Sequence, residues 1–272
     1  EDNYRKLLQL IGHEYLHQWN VRRLRPIEYN NYNYSKPIIT DSLWFAEGIT
    51  SYFDLSIPFV AGLTSLDKYL EDLSQEITYF LNCPARSIHN LADCSREAWI
   101  KLYNRKSSTR DYQINYYRHG VILSFCLDVY LRKKGYSLSF LLREVWKLYG
   151  ETRKGYRRSD VITILNGISL TLGDTLSQWL DNTLQIPLRE VIELLGLDLS
   201  SKDIDNKLKD ITFETRQEII YIAWSNPSGI YSESGLAIGD EIISANGTRI
   251  RDIEVLTNLF LHNQCLQIVY SR

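Results

Sequence analysis

His13-Glu14-Tyr15-Leu16-His17 places two imidazoles one helical turn apart, with a carboxylate beside the first. In a helix of 3.6 residues per turn, positions i and i+4 share a face and lie about 6 Å apart along the axis. Both rings then reach one zinc ion at about 2.0–2.1 Å. Glu14 sits about 100° round the helix, close enough to act on water at the metal without being a ligand itself. Leu7, Leu8, Leu10, Ile11, Leu16 and Trp19 form an apolar stripe, which predicts a partly buried helix. Arg22, Arg23 and Arg25 follow near its expected C-terminal end, where cations suit the negative end of the helix dipole, and Pro26 stops it. A plainer reading is two histidines that only pack or hydrogen-bond.

A zinc site open for catalysis takes three protein ligands. His89, His119 and His262 have no paired spacing. The better candidate is Glu47, in Trp44-Phe45-Ala46-Glu47-Gly48-Ile49-Thr50-Ser51-Tyr52. Thr40 and Asp41 read as N-cap residues of a helix that puts Glu47 in its second turn. An acid on that apolar, aromatic face is costly to bury unless it is paired or bound to a metal. Pairing with one of the arginines after the first helix is the other way to satisfy it. Ser51 and Asp54 lie at i+4 and i+7 from Glu47 on the same face. Asp54 either orients a metal-bound histidine or faces solvent.

Taken together, His13-Glu14-x-x-His17 with Trp19-Asn20-Val21-x-Arg23-x-Arg25-Pro26, and then Trp44-x-x-Glu47-Gly48-x-Thr50-Ser51-Tyr52, resemble the glycyl aminopeptidase family of gluzincin metallopeptidases. That resemblance implies a thermolysin-like helical lobe, one Zn²⁺ held by His13, His17 and Glu47, and Glu14 as general base. It also reaches Asn115-Tyr116-Tyr117-Arg118-His119-Gly120, where a tyrosine three residues before the glycine donates its hydroxyl to the tetrahedral intermediate in related enzymes. By that match Tyr117 is the candidate, with Tyr116 as the neighbouring alternative. The family usually carries Lys where this chain has His119, which changes the expected local charge.

An apolar fraction of 44% and a charged fraction of 24% over 272 residues are ordinary for a globular chain of one large domain or two modest ones. A net charge of −2 argues against a nucleic-acid partner. No segment approaches the roughly eighteen apolar residues of a membrane span. Cys83, Cys94, Cys126 and Cys265 form no paired pattern, so a disulfide framework is not expected. No signal peptide is visible; the compartment stays open, with the cytoplasm slightly favoured.

Residues 27–40 read as a loop. Helices are expected after Thr64 or Ser65, from Ser95, across 113–134, from Ser137 to Gly150, and over 159–166, 174–184 and 188–195. Residues 104–111 read as a polar surface loop. After about residue 200 the pattern changes: Ile219–Trp224 reads as a strand, and Gly239–Ala245, the Asn246-Gly247 turn and Leu266–Tyr270 continue a β-rich segment with a helix near Leu256–Leu261. Gly235-Leu236-x-x-Gly239-Asp240-x-Ile242 resembles the PDZ domains often attached to bacterial proteases.

The expected fold is therefore α+β: a mainly helical catalytic lobe over 1–200 and a PDZ-like domain over 201–272. Nothing before residue 3 can supply the β-rich portion the gluzincin plan puts ahead of the zinc helix. The expectation is that the chain is the C-terminal part of a longer enzyme, inactive on its own, with the PDZ-like domain cut short at Arg272. The resemblance implies a zinc aminopeptidase that releases small N-terminal residues such as glycine from peptide substrates, with a peptide C-terminus as a possible partner of the PDZ-like domain. The alternatives are a peptide-binding scaffold without catalysis and a zinc endopeptidase.

Overall fold

The computed structural model describes residues 2–104, 109–183, 186–200, 208–227 and 229–272, leaving aside the side chains of 109 and 110. Several sequence expectations reach past these bounds: most of the 104–111 loop, the end of the 174–184 helix, Ser228 in the turn before Gly229, and the opening of the second domain at 201–207 all lie outside the described residues. The chain divides into two compact units, Glu1–Asn104 with Tyr112–Leu199, and Arg105–Asp111 with Ser200–Arg272. The first is built of helices and the second on an antiparallel sheet, so the fold class is α+β.

The first unit runs through α1 (Asp2–Leu16), a π-helical turn (Trp44–Gly48) leading into α2 (Ile49–Val60), α3 (Leu66–Leu81), α4 (Leu91–Arg96) and a second π-helical turn (Ala98–Leu102). After α5 (Thr109–Tyr112), at the boundary between the units, come α6 (Tyr116–Lys133), α7 (Leu138–Val145) with a π-helical extension to Gly150, α8 (Arg158–Ile168), α9 (Leu170–Asp181) and α10 (Leu188–Glu193). Ser65, Asn115 and Ser137 start α3, α6 and α7 by accepting the backbone N–H groups of Lys68, Tyr117 and Phe140. Every residue of α6 from His119 to Val129 is buried. A helix enclosed on all sides belongs at the centre of its unit, and α6 packs there among Trp44, Phe45, Ile49, Phe80, Leu91 and Leu165.

One close backbone crossing in this unit fixes the site. A Cβ built on Gly48 or Gly120 would lie 2.6 Å from the other's Cα, so the first π-helical turn and α6 cross with their backbones in contact. Only glycine fits such a crossing without forcing the backbones apart. The contact holds Glu47 beside the first turn of α6, which carries Tyr117.

Two expectations for the first helix are corrected. It stops at Leu16 rather than running to Pro26, and Arg22, Arg23 and Arg25 lie in the turns beyond it. The buried Asn20 is the cause. Its Nδ2 donates to the carbonyls of Phe45 and Ala46 and to Oγ1 of Thr50, each at 3.1 Å, which pulls the chain off the helix axis. Val21 follows at φ 100°, a strained value for a β-branched residue. The apolar stripe is split: Leu7, Leu10 and Ile11 are 49–56% exposed, Leu8 and Leu16 are half-buried, and the fully buried residues of α1 are Arg5 and Gly12. The inward face works by close approach and charge. A Cβ at Gly12 would touch Ile57 at 3.7 Å, and Arg5 binds Asp72 at 2.9 Å.

Elsewhere, the short helix expected from Ser95 over Arg96–Ile100 is corrected: α4, capped by Asn90 through the N–H of Asp93, already ends at Arg96, and the expected residues open the second π-helical turn. The helix expected to start from Thr40 and Asp41 opens instead as the π-helical turn.

The second unit contains β1 (Ile211–Arg216), β2 (Ile219–Ser225), α11 (Ile230–Glu233), β3 (Glu241–Ala245), β4 (Thr248–Arg249), α12 (Ile253–His262) and β5 (Ile268–Ser271). The strands lie in the order β1-β2-β3-β4, with β5 pairing β3. Ile211, Ile220, Ile222, Leu236, Ile242, Leu256 and Phe260 form its own core. Asn246 and Gly247, both at positive φ, make the expected tight turn between β3 and β4. Among the described residues no helix is long and apolar enough to cross a membrane.

Candidate metal centre

His13 and His17 project from the C-terminal end of α1 with their rings edge-to-face, centroids 4.5 Å apart. Glu47, in the π-helical turn, brings Oε2 to 3.3 Å from Nε2 of His13 and 3.2 Å from Nε2 of His17. One ligand atom from each residue falls within 4.8 Å of the others. The π-helical turn has a local cause. The carbonyls of Phe45 and Ala46 are taken by the Asn20 side chain, and Ala46 O also accepts Oγ1–H of Thr50 at 2.7 Å. With those acceptors engaged, the helical ladder widens by one residue there, a form common at functional sites.

The outer nitrogens of both rings are fixed. Nδ1–H of His13 donates to Oδ2 of Asp54 at 2.8 Å, and Nδ1–H of His17 donates to the carbonyl of Asn20 at 2.9 Å. Because both partners are acceptors, the protons of the neutral rings sit on Nδ1 and leave the Nε2 lone pairs facing Glu47. Oε2 of Glu47 is buried and takes no hydrogen bond. Two inward lone pairs and an orphaned buried carboxylate oxygen form a donor set of the composition that suits zinc, with the anchored outer nitrogens usual for metal-binding histidines.

Without a metal the cluster holds protons instead. Burial pulls the imidazolium of His13 down, but Asp54 and Glu47 outweigh it and raise the ring to about 9. His17 is raised for the same reason, chiefly by Glu47 against burial. Burial pushes Glu47 up, yet the two histidines more than reverse this and leave it below the usual carboxylate range. Burial raises Asp54 to about 6, which its bond with His13 reverses only in part.

Glu14 follows His13 on the helix; its carboxylate is exposed and has no protein partner among the described residues. Of the two candidate tyrosines, Tyr117 is the one that borders the cluster, its ring 6.3 Å from that of His13. Burial, and then the charge of Glu47, push its phenol well above the ordinary value, so at neutral pH it remains a hydrogen-bond donor. Tyr116 points into the core, 1% exposed. His119 is enclosed against Tyr79 and Phe80, and burial pushes it down to about 3. It is neutral, so it brings no charge to the start of α6. Asp54 takes the orienting position rather than the solvent-facing one, whereas Ser51 is partly buried and makes no hydrogen bond to the cluster among the described residues.

Asn20 is the residue that sequence reasoning missed. It joins the two motifs, holding the Glu47 turn through its side chain and His17 through its carbonyl. Spacing gives no sign of this, because its partners lie 25 to 30 residues away.

Residues 6–123 match the model of the M61 glycyl aminopeptidase family. No curated protein matches the chain. A solved structure described as an aminopeptidase N family protein from Idiomarina loihiensis is similar in fold, with a TM-score of 0.87 at 23% sequence identity. The likeness covers 97% of this chain and 48% of that one, so the chain spans about half the length of the solved structure it matches. The segment that carries His13, His17, Glu47 and Tyr117 is thus similar to the M61 glycyl aminopeptidases, within a fold shared with an aminopeptidase N family protein.

Proposed function

We propose that the protein is a zinc-dependent metallopeptidase, an aminopeptidase that releases small N-terminal residues such as glycine. The observation that carries this reading is the convergence of Nε2 of His13, Nε2 of His17 and Oε2 of Glu47, with both Nδ1 atoms anchored away from it. The match of residues 6–123 to a peptidase family supports the reaction class, and the family's description supports the choice of glycine.

The chemistry zinc supplies when bound by His13, His17 and Glu47 is Lewis acidity, which polarises a carbonyl and makes water a nucleophile near neutral pH. Glu14, exposed and unpartnered, takes a proton from the attacking water and returns it to the leaving amine. Tyr117 donates its hydroxyl to the carbonyl oxygen as negative charge gathers there. Asp54 and the Asn20 carbonyl keep both imidazoles turned inward through the cycle.

The second unit we read as a PDZ-like domain that takes an extended peptide. In support, β1 pairs with β2 alone among the described strands, which leaves an edge for β-addition, and Phe213 of β1 lies 5.1 Å from Phe260 of α12.

The test is metal analysis of the full-length protein together with Glu14→Gln. Glu14→Gln is expected to keep the zinc and lose turnover by at least about 10²-fold on glycyl-p-nitroanilide. Full turnover in that variant would reject Glu14 as the base. Blocked peptides cleaved as fast as free ones would replace the aminopeptidase with an endopeptidase. A full-length protein without stoichiometric metal and without turnover would leave the scaffold reading.

A further inference from the structure

Tyr103 caps the second π-helical turn, its N–H bonded to the carbonyl of Ala98 at 3.0 Å. It is 62% exposed, so burial does not require an aromatic residue there. Yet its hydroxyl meets the hydroxyl of Tyr116 at 3.2 Å, and its ring rests on Trp99 with centroids 5.3 Å apart. Tyr116 is 1% exposed and its ring stacks on Tyr117, centroids 4.7 Å apart and planes at 28°. Tyr117 in turn borders His13. Successive contacts therefore lead from the surface to the candidate metal centre through Trp99, Tyr103, Tyr116 and Tyr117.

We propose that Tyr103 is a positioning residue for Tyr117, its hydroxyl holding the Tyr116–Tyr117 pair in place. The proposal rests on the reading of Tyr117 as the donor to the substrate carbonyl. A donor aimed at a developing oxyanion must be held to about half an ångström by its surroundings. The backbone of Tyr117 is fixed by the Asn115 cap at 2.8 Å, but its side chain extends from there toward His13 with the Tyr116 ring as a wall. That wall is steady only if the far end of Tyr116 is held. A buried phenol needs a partner for its hydroxyl, and Tyr103 provides it from a different element than α6. The Trp99 ring gives Tyr103 a second contact beside that hydroxyl.

Tyr103→Phe in the full-length protein tests this, because it removes one oxygen and keeps both ring contacts. With glycyl-p-nitroanilide as the probe, kcat is expected to fall roughly two- to tenfold with KM unchanged, the size of one lost hydrogen bond. In a Tyr117→Phe background, Tyr103→Phe is expected to cost nothing further, since its effect runs through the missing hydroxyl. Losses that simply multiply would overturn the proposal. So would a normal Tyr103→Phe enzyme beside an impaired Tyr117→Phe enzyme. A Tyr117→Phe enzyme with unchanged kcat would instead overturn the reading of Tyr117 itself. A second readout needs no turnover. With 3-fluorotyrosine placed at position 117 of the zinc-free protein, Tyr103→Phe is expected to shift or broaden the fluorine resonance. An identical resonance in both proteins would overturn the link between the two residues whatever the kinetics.

Discussion

Asp54→Asn removes a charge and preserves a shape, and its effect on zinc affinity should depend on pH in a definite direction. In the native chain Oδ2 of Asp54 accepts Nδ1–H of His13 at 2.8 Å. A charge-assisted bond of this kind contributes about 1.5–3 kcal/mol, and such partners typically change metal affinity about 10–100-fold. A second effect opposes the first. In the zinc-free protein His13 is raised to about 9, despite burial, by Asp54 and Glu47. At pH 7 the ring must therefore lose a proton before Nε2 can bind a metal, which costs free energy. Asp54→Asn weakens the hold on that proton and cancels part of the cost. The expected loss of zinc affinity is thus close to the full 10–100-fold near pH 9 and smaller at pH 7. Competition against a chromophoric chelator at the two pH values measures it, with His13→Ala as the reference for a lost ligand. Equal affinities of Asp54→Asn and the parent protein at pH 9 would refute the reasoning, and so would a loss that is greater at pH 7 than at pH 9.

Three other outcomes are expected. Gly120→Ala puts a Cβ 2.6 Å from the Gly48 Cα, so the crossing must open; a loss of about 1–3 kcal/mol should lower the melting temperature by several degrees, and an unchanged melting curve would show that the backbones have room. Asn20→Ala takes a donor from the buried carbonyls of Phe45 and Ala46, of which Ala46 keeps Oγ1–H of Thr50, and should cost about 1–3 kcal/mol in chemical denaturation, with weakened zinc binding as well; full zinc affinity in this variant would detach Asn20 from the site. In zinc-free protein the raised His13 contributes stability that is fully present below about pH 6.5 and is lost as pH rises through about 9. His17 adds to this with the same sign, while Asp54, raised to about 6, acts below that window. The urea midpoint of the stripped protein should therefore fall between pH 6.5 and 9, and His13→Ala should flatten the slope; a midpoint that rises over that range would contradict it.

The sequence made the meeting of His13, His17 and Glu47 legible for a simple reason. One pair is set by helical spacing, and an acid among Trp44, Phe45 and Ala46 has few ways to be satisfied. What joins the two segments was hidden, because Asn20 acts on carbonyls 25 and 26 residues away, and carbonyls carry no mark in a sequence. The outward turn of Leu7, Leu10 and Ile11 was misread because counting apolar residues assumes that the apolar face is the buried one. The α1 face that does pack is built on glycine and charge. Strand β1 escaped notice for a related reason: Gln217 and Glu218 make its turn to β2 at φ 50° and 65°, the left-handed region usually signalled by Asn or Gly.

These misreadings bear on how the site holds together. If α1 were docked by its leucines, it would stay in place whatever happened at the histidines. Beside the half-buried Leu8 and Leu16, however, its inward contacts include Arg5 with Asp72, the close approach at Gly12, and His13 with Asp54 and Glu47. Two of these contacts are electrostatic, and one of them is the candidate metal centre itself. A cation held by His13, His17 and Glu47 would therefore cross-link α1 to the turn that Gly48 pins against α6, and part of its binding energy would appear as docking of the helix. Metal affinity and the stability of the first unit should consequently respond together to changes at Asp54, Asn20 and Gly120, even though only Asp54 among the three contacts a candidate ligand with its side chain.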